Sequence, residues 1–145
     1  MGPGNKVLVV DDEAAIRALI AKIVQRAGFD VDTARDGAEA IEKLSDGSYS
    51  VLVIDLMMPV MDGYDVVRHI RAAGIHNLAI IVITAGDTAA IRRLDPGVVH
   101  SVLRKPFDID VLGDLIVAAA QSMQAEKEGD KKGKILDFPT SGEAC

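Results

Sequence analysis

Tryptophan is absent from this chain, and only 3% of its residues are aromatic. Any core must therefore be filled by Val, Ile, Leu and Ala, which supply most of an apolar content of 49%. The one cysteine, Cys145, is the last residue, so no disulfide can form within the chain. That usage suits a reducing compartment. No apolar run reaches membrane-spanning length. The start, Met1-Gly2-Pro3-Gly4-Asn5, lacks the charged and then apolar segments of a secretion signal. It also lacks the Ser or Thr of a myristoylation site. A cytoplasmic protein with no membrane partner is expected. Nor is there a cluster of basic residues. Residues 1–125 hold 12 Lys and Arg against 17 Asp and Glu, within a net charge of −6 for the whole chain. Such a domain is a poor nucleic-acid binder, so no nucleic-acid partner is expected. His69, His76 and His100 show no metal-ligand spacing, and no G-x-G-x-x-G follows a strand, so neither a histidine metal site nor a dinucleotide site is assigned.

What is present is a set of short apolar runs that end in polar residues. The central one is Val51-Leu52-Val53-Ile54-Asp55. Four consecutive apolar residues, three of them β-branched, predict a strand buried on both faces. Lys6-Val7-Leu8-Val9-Val10 is a second such run and ends in Asp11-Asp12. Ala79-Ile80-Ile81-Val82-Ile83 ends at Thr84, and Val98 to Leu103 ends in Arg104-Lys105-Pro106. Phe29 to Ala34 alternates and is less apolar, which places it at a sheet edge.

Helical periodicity fills the gaps. Ile16, Leu19, Ile20, Ile23 and Ala27 define the first helix, with Gly28 at its C-terminal cap. Ala38, Ile41 and Leu44 define a short second one. Val66, Val67 and Ile70 face inward from a third over about Tyr64 to Ala73. Asp87 to Leu94 supports about two turns, stopped by Asp95-Pro96-Gly97. In the last helix Asp108 is the N-cap, and Ile109, Leu112, Ile116, Ala119 and Met123 share a face. The domain is thus expected over residues 5–124. The charged stretch after it, 125–145, is expected to be a disordered tail, with Ile135-Leu136-Asp137-Phe138-Pro139 as its apolar patch.

Strands alternating with helices five times predict an α/β fold: a parallel sheet with right-handed crossovers and helices on both faces. The most apolar strands must be interior, which the flavodoxin-like (βα)5 order 2-1-3-4-5 provides. In that topology the carboxyl ends of the strands share one edge. Asp11, Asp12, Asp55, Thr84 and Lys105 then meet. Three carboxylates together repel unless a cation neutralises them. A hard, oxygen-rich pocket of this kind suits Mg²⁺. Asp55 can act as a nucleophile toward phosphorus, giving an aspartyl phosphate. Asp11 and Asp12 would hold the metal, while Lys105 and Thr84 take the remaining phosphoryl oxygens. Each residue also has an ordinary reading. Asp12 can simply cap the first helix, Thr84 can be a strand-end hydroxyl, and Lys105 a solvated lysine. Met57, Met58 and Met61 can be packing or partner surface.

Asp-Asp after the first strand, Asp-Leu-Met-Met-Pro-Val-Met-Asp-Gly after the third, Ile-Thr-Ala after the fourth and Lys-Pro-Phe after the fifth resemble a response-regulator receiver domain of the single-domain chemotaxis type. The resemblance spans about residues 5 to 124. It implies that a histidine kinase or a histidine phosphotransfer protein donates a phosphoryl group to Asp55. It implies Mg²⁺ contacts from Asp12, Asp55 and the main-chain carbonyl of Met57, with Asp11 acting mainly through water. It also implies a cis bond between Lys105 and Pro106 that aims the lysine inward. The expected output is binding of a downstream protein or onward phosphotransfer, with the chain a monomer or a phosphorylation-dependent dimer.

The chain departs from the family at Val102, where an aromatic residue usually forms the switch with the hydroxyl at Thr84. The fourth helix is short as well. Met57 and Gly86 flank the site without charge, so a phosphoaspartate there is expected to hydrolyse slowly. Two rivals remain: a degenerate receiver serving as an interaction module, and a Mg²⁺-dependent aspartyl-phosphate phosphatase. The latter wants a second acid two residues after the nucleophile, where Met57 stands.

Overall fold

A computed structural model describes residues 6–86 and 88–132, the stretch 124–132 by its backbone alone. The elements in chain order are β1 (Lys6–Val10), α1 (Ala14–Arg26), β2 (Asp30–Ala34), α2 (Gly37–Leu44), β3 (Val51–Asp55), α3 (Gly63–Ala72), β4 (Ala79–Thr84), α4 (Thr88–Arg92), β5 (Ser101–Arg104) and α5 (Ile109–Lys132). The five strands are parallel in the order β2-β1-β3-β4-β5, the topology expected from the apolar runs. Each strand of the buried trio β1, β3 and β4 is shielded by helices on both faces, which is why it reads as unbroken apolar sequence.

Strand alternation sorts the core into two layers. Leu8, Val10, Leu52, Ile54, Ile80 and Val82 face α2 and α3, where they meet Leu44, Tyr64, Val66, Val67 and Ile70. Val7, Val9, Val51, Val53, Ile81 and Ile83 face α1 and α5 and meet Ile20, Ile23, Val24, Leu112 and Ile116. Val102, opposite Val82 in the register, packs on the first of these layers.

The helix ends follow their local chemistry. Asp62 caps α3 through a reciprocal capping box with Asp65. Asp36 caps α2 by accepting from the Glu39 N–H. Asp108 accepts the N–H groups of Asp110 and Val111 at the start of α5. Gly28, at φ +95°, closes α1 in the left-handed conformation that glycine adopts without strain. Asp12 does not cap α1: the N-cap is Glu13, whose side chain makes no cap bond.

Three sequence expectations shift. Ile109 is 44% exposed: the buried face of α5 starts only at Leu112, and Phe107 in the preceding loop packs, partly buried, against the core. The fifth strand starts at Ser101 and not at Val98, because the N–H groups of Val98 and Val99 turn back to the Asp95 carbonyl. The last helix continues to Lys132, past Gln124 where apolar periodicity stops. Asp87 and residues 133–145, where the expected apolar tail patch falls, lie outside the described residues. No helix among the described residues is long and apolar enough to cross a membrane.

Candidate functional site

The carboxyl edge of the sheet carries the residues that ended the apolar runs. Asp11 follows β1 and Asp55 closes β3. Both side chains are buried, whereas Asp12 is exposed. One carboxylate oxygen from each of Asp11, Asp12 and Asp55 lies within 4.8 Å of the others. Lys105 follows β5 and reaches across two strands. Its Nζ is 3.2 Å from Asp11 Oδ2 and 3.3 Å from Asp55 Oδ2. Glu13 Oε1 is 3.6 Å from the same nitrogen.

The backbone fixes these positions. The Asp11 N–H donates to the Ala34 carbonyl at 3.2 Å and the Leu56 N–H to the Ile83 carbonyl at 3.2 Å, so both acids sit at ordered strand ends. Arg17 Nη1 donates to the Asp11 carbonyl at 2.7 Å, tying α1 to the same edge. The Asp11 side chain accepts the Glu13 N–H at 2.9 Å, and the Asp55 side chain accepts the Met57 N–H at 3.2 Å. The Lys105 N–H donates to the Thr84 carbonyl at 2.9 Å. The Lys105–Pro106 bond is cis, as the resemblance implied.

Electrostatics set the protonation states. Burial pushes the Asp55 carboxyl above the ordinary carboxylate range, and Asp11 adds to this. The Met57 N–H and the Lys105 ammonium oppose the rise without cancelling it. Burial works against the charge on Lys105, but Asp55 and then Asp11 outweigh it and hold the ammonium above its usual value. Three carboxylates, those of Asp11, Asp55 and Glu13, thus face one ammonium, with Asp12 beside them. The donors are hard oxygens on a rigid edge, a set that fits Mg²⁺ and offers nothing to a soft metal.

Thr84 is fully buried one residue past the register partner of Asp55. Its Oγ1 accepts the Gly86 N–H at 2.9 Å. Met57 is 58% exposed, so its side chain turns to solvent and only its main chain faces the acids. All the predicted polar residues therefore come to this edge, and Val102 lies on the sheet face below it. Glu13, Arg17 and Arg104 were not singled out from sequence. Glu13 extends the Asp11-Asp12 run and was legible in it. Arg17 donates to the Asp11 carbonyl, and Arg104 donates to the Gly86 carbonyl and the Thr88 hydroxyl. No sequence motif signals such contacts.

A doubly wound parallel sheet with an acidic, lysine-bearing carboxyl edge defines a class of protein, and comparison with known proteins specifies it. Residues 7–117 match the family model described as the response regulator receiver domain. The response regulator MprA of Mycobacterium avium (strain 104) is 38% identical over 135 residues, covering 92% of this chain and 58% of that protein. The MprA of Mycobacterium tuberculosis (strain ATCC 25177 / H37Ra) is 38% identical over 109 residues, covering 74% and 46%. The chain thus spans about half the length of these curated relatives. A CheY-like receiver domain from Methanospirillum hungatei JF-1 superposes with TM-score 0.69 at 32% identity, covering 86% of this chain and 98% of that one. The response regulator TrrA of Thermotoga maritima, solved in complex with Mg²⁺ and BeF, superposes with TM-score 0.71 at 31% identity, covering 79% and 98%.

This chain belongs to the response regulator receiver domain family of two-component systems. Members of that family are generally phosphoacceptors and not enzymes of the usual kind, and they bind Mg²⁺ at an acidic pocket.

Proposed function

We propose that this receiver domain takes a phosphoryl group on Asp55 from a histidine kinase or a histidine phosphotransfer protein and signals by changing what it binds. The single observation that supports this best is the ion pairing of one partly buried lysine with two buried aspartates at a sheet edge. Such pairing is costly to desolvate, and it persists in proteins where function needs it.

Asp12, Asp55, the Met57 carbonyl and Asp11 would hold Mg²⁺. When bound, the metal supplies charge neutralisation between the carboxylates and the incoming phosphoryl group. The rest is done by the chain. An Asp55 oxygen attacks phosphorus as the bond to the donor nitrogen breaks. The product is a mixed anhydride, and the electron pair leaves with the imidazole. Lys105 exchanges a carboxylate contact for a phosphoryl oxygen, and the Thr84 hydroxyl takes another. Met57 and Gly86, which flank the site, carry no charge with which to orient a hydrolytic water, and this supports a long-lived phosphoaspartate.

The test is intact-mass analysis after incubation with acetyl phosphate and Mg²⁺. The wild type should gain one phosphoryl group and Asp55→Ala none. Equal labelling of both would assign the acceptor elsewhere. No labelling of either, from acetyl phosphate or a cognate kinase, would favour the pure interaction module. Sustained turnover of a phosphate ester would favour the phosphatase.

A further inference from the structure

The family's switch usually pairs the fourth-strand hydroxyl with a ring on the fifth strand, and this chain has Val102 there. A buried ring nevertheless sits on the same face of the sheet. Tyr64, in the first turn of α3, packs in the layer that contains Val82, Val102 and Leu94. Its hydroxyl donates to the Ala90 carbonyl in α4. The Arg93 guanidinium lies over its ring, 4.1 Å from the centroid.

The other end of this contact leads to the phosphorylation site. α4 buries none of its own residues, so its position depends on a few ties. One is the Gly86 N–H held by the Thr84 hydroxyl. Only a glycine fits at position 86: a Cβ there would lie 2.9 Å from the Ala90 methyl carbon and 3.1 Å from Thr84 Oγ1. Thr84, Gly86, Ala90 and Tyr64 therefore form a continuous packed series from the sheet edge to α3. A hydroxyl that turns toward a phosphoryl oxygen releases the Gly86 N–H. Gly86 lies beside Ala90, close enough that not even a Cβ would fit between them, so its movement is passed to α4.

We infer that Tyr64 is the positioning residue that couples the state of Asp55 to the placement of α4, the part taken elsewhere in the family by the fifth-strand aromatic. The inference rests on the proposed phosphoacceptor role. Tyr64 latches α4 while Thr84 holds Gly86, and the latch is strained or shifted once that hold is lost. The output surface is then the exposed side of α4, with Arg93 moving with the ring it stacks on.

The experiment is amide NMR of the full chain, with and without Mg²⁺ and beryllofluoride, in wild type, Tyr64→Phe and Arg93→Ala. Phenylalanine keeps the buried ring and removes only the hydroxyl. Alanine at 93 keeps the hydroxyl and removes the stacked cation. In wild type, beryllofluoride should shift Met57, Gly86 and the amides of residues 88–94. In Tyr64→Phe the Met57 and Gly86 responses should persist. The α4 response should fall, and amide exchange in free α4 should quicken about fivefold, as expected for one lost hydrogen bond. Arg93→Ala should weaken the α4 response in the same direction, with Met57 unaffected. A full α4 response in both variants would reduce Tyr64 to core packing and overturn the inference alone. Absence of any Met57 response in wild type would overturn the phosphoacceptor reading and this inference together.

Discussion

Lys105 faces Asp11, Asp55 and Glu13 within 3.6 Å, and no other described cation shares that contact. Removing it leaves two buried carboxylates uncompensated, a change that costs about 3–5 kcal/mol when a buried pair is broken. Lys105 is 17% exposed, so the lower end applies. Lys105→Ala should lose about 3 kcal/mol of stability at neutral pH in EDTA, and Mg²⁺ should recover part of it. The pH dependence has a definite sign. The carboxyl of Asp55 has a folded pKa raised above its unfolded value, chiefly by burial. Its contribution is therefore favourable below the unfolded pKa and is lost as pH rises through the folded one. Losing Lys105 raises that folded pKa further. The deficit of the variant should be full at neutral pH and shrink as pH falls toward about 4. Urea titrations across that range check this, and a deficit independent of pH would contradict it.

The loop from β3 to α3 closes against Gly63, the first residue of α3, and depends on the absence of a Cβ there. A Cβ on Gly63 would lie 2.8 Å from both the Asp55 carbonyl oxygen and the Leu56 Cα, and the obstacle is backbone at the nucleophile itself. Gly63→Ala should therefore displace the end of β3, lowering stability by about 1–3 kcal/mol and slowing acetyl phosphate labelling. Normal labelling with normal stability would show that the loop can relax. On the opposite edge, Tyr49 donates to Asp32 Oδ2 at 2.7 Å and ties the turn before β3 to β2. This hydrogen bond is the largest influence on Asp32 and holds its carboxyl below the usual range. Its stabilisation is present above the unfolded pKa and disappears as pH falls through the folded one. Asp32 is partly solvated, so Tyr49→Phe should cost about 1 kcal/mol at neutral pH, and the difference should vanish in acid. Thermal melts at both pH values test it, and a loss unchanged in acid would point to packing instead.

At the scale of the molecule, the fold was legible because each buried strand ends abruptly in a polar residue. Val7 to Val10 before Asp11, and Val51 to Ile54 before Asp55, announce both the sheet and the edge where its site lies. The gathering of Asp11, Asp12, Asp55, Thr84 and Lys105 then follows from topology, without side-chain detail. What stayed hidden depends on contacts that have no periodicity. Tyr64 reads as one more apolar position of α3, and its hydroxyl contact with Ala90 spans 26 residues of sequence. Ile109 fits the helical pattern, yet it is exposed, and Phe107, partly buried, packs against the core instead. The late start of β5 is set by Asp95, whose carbonyl captures two N–H groups that a strand would have used.

The central claim is that the Asp55 carboxylate forms a mixed anhydride with phosphate. Borohydride reduction after phosphorylation, followed by peptide mapping, reads this directly, because an acyl phosphate is reduced to an alcohol. The account predicts homoserine at position 55 in the phosphorylated wild type. Homoserine at another aspartate, or an unreduced Asp55 in protein that carries the label, would contradict it.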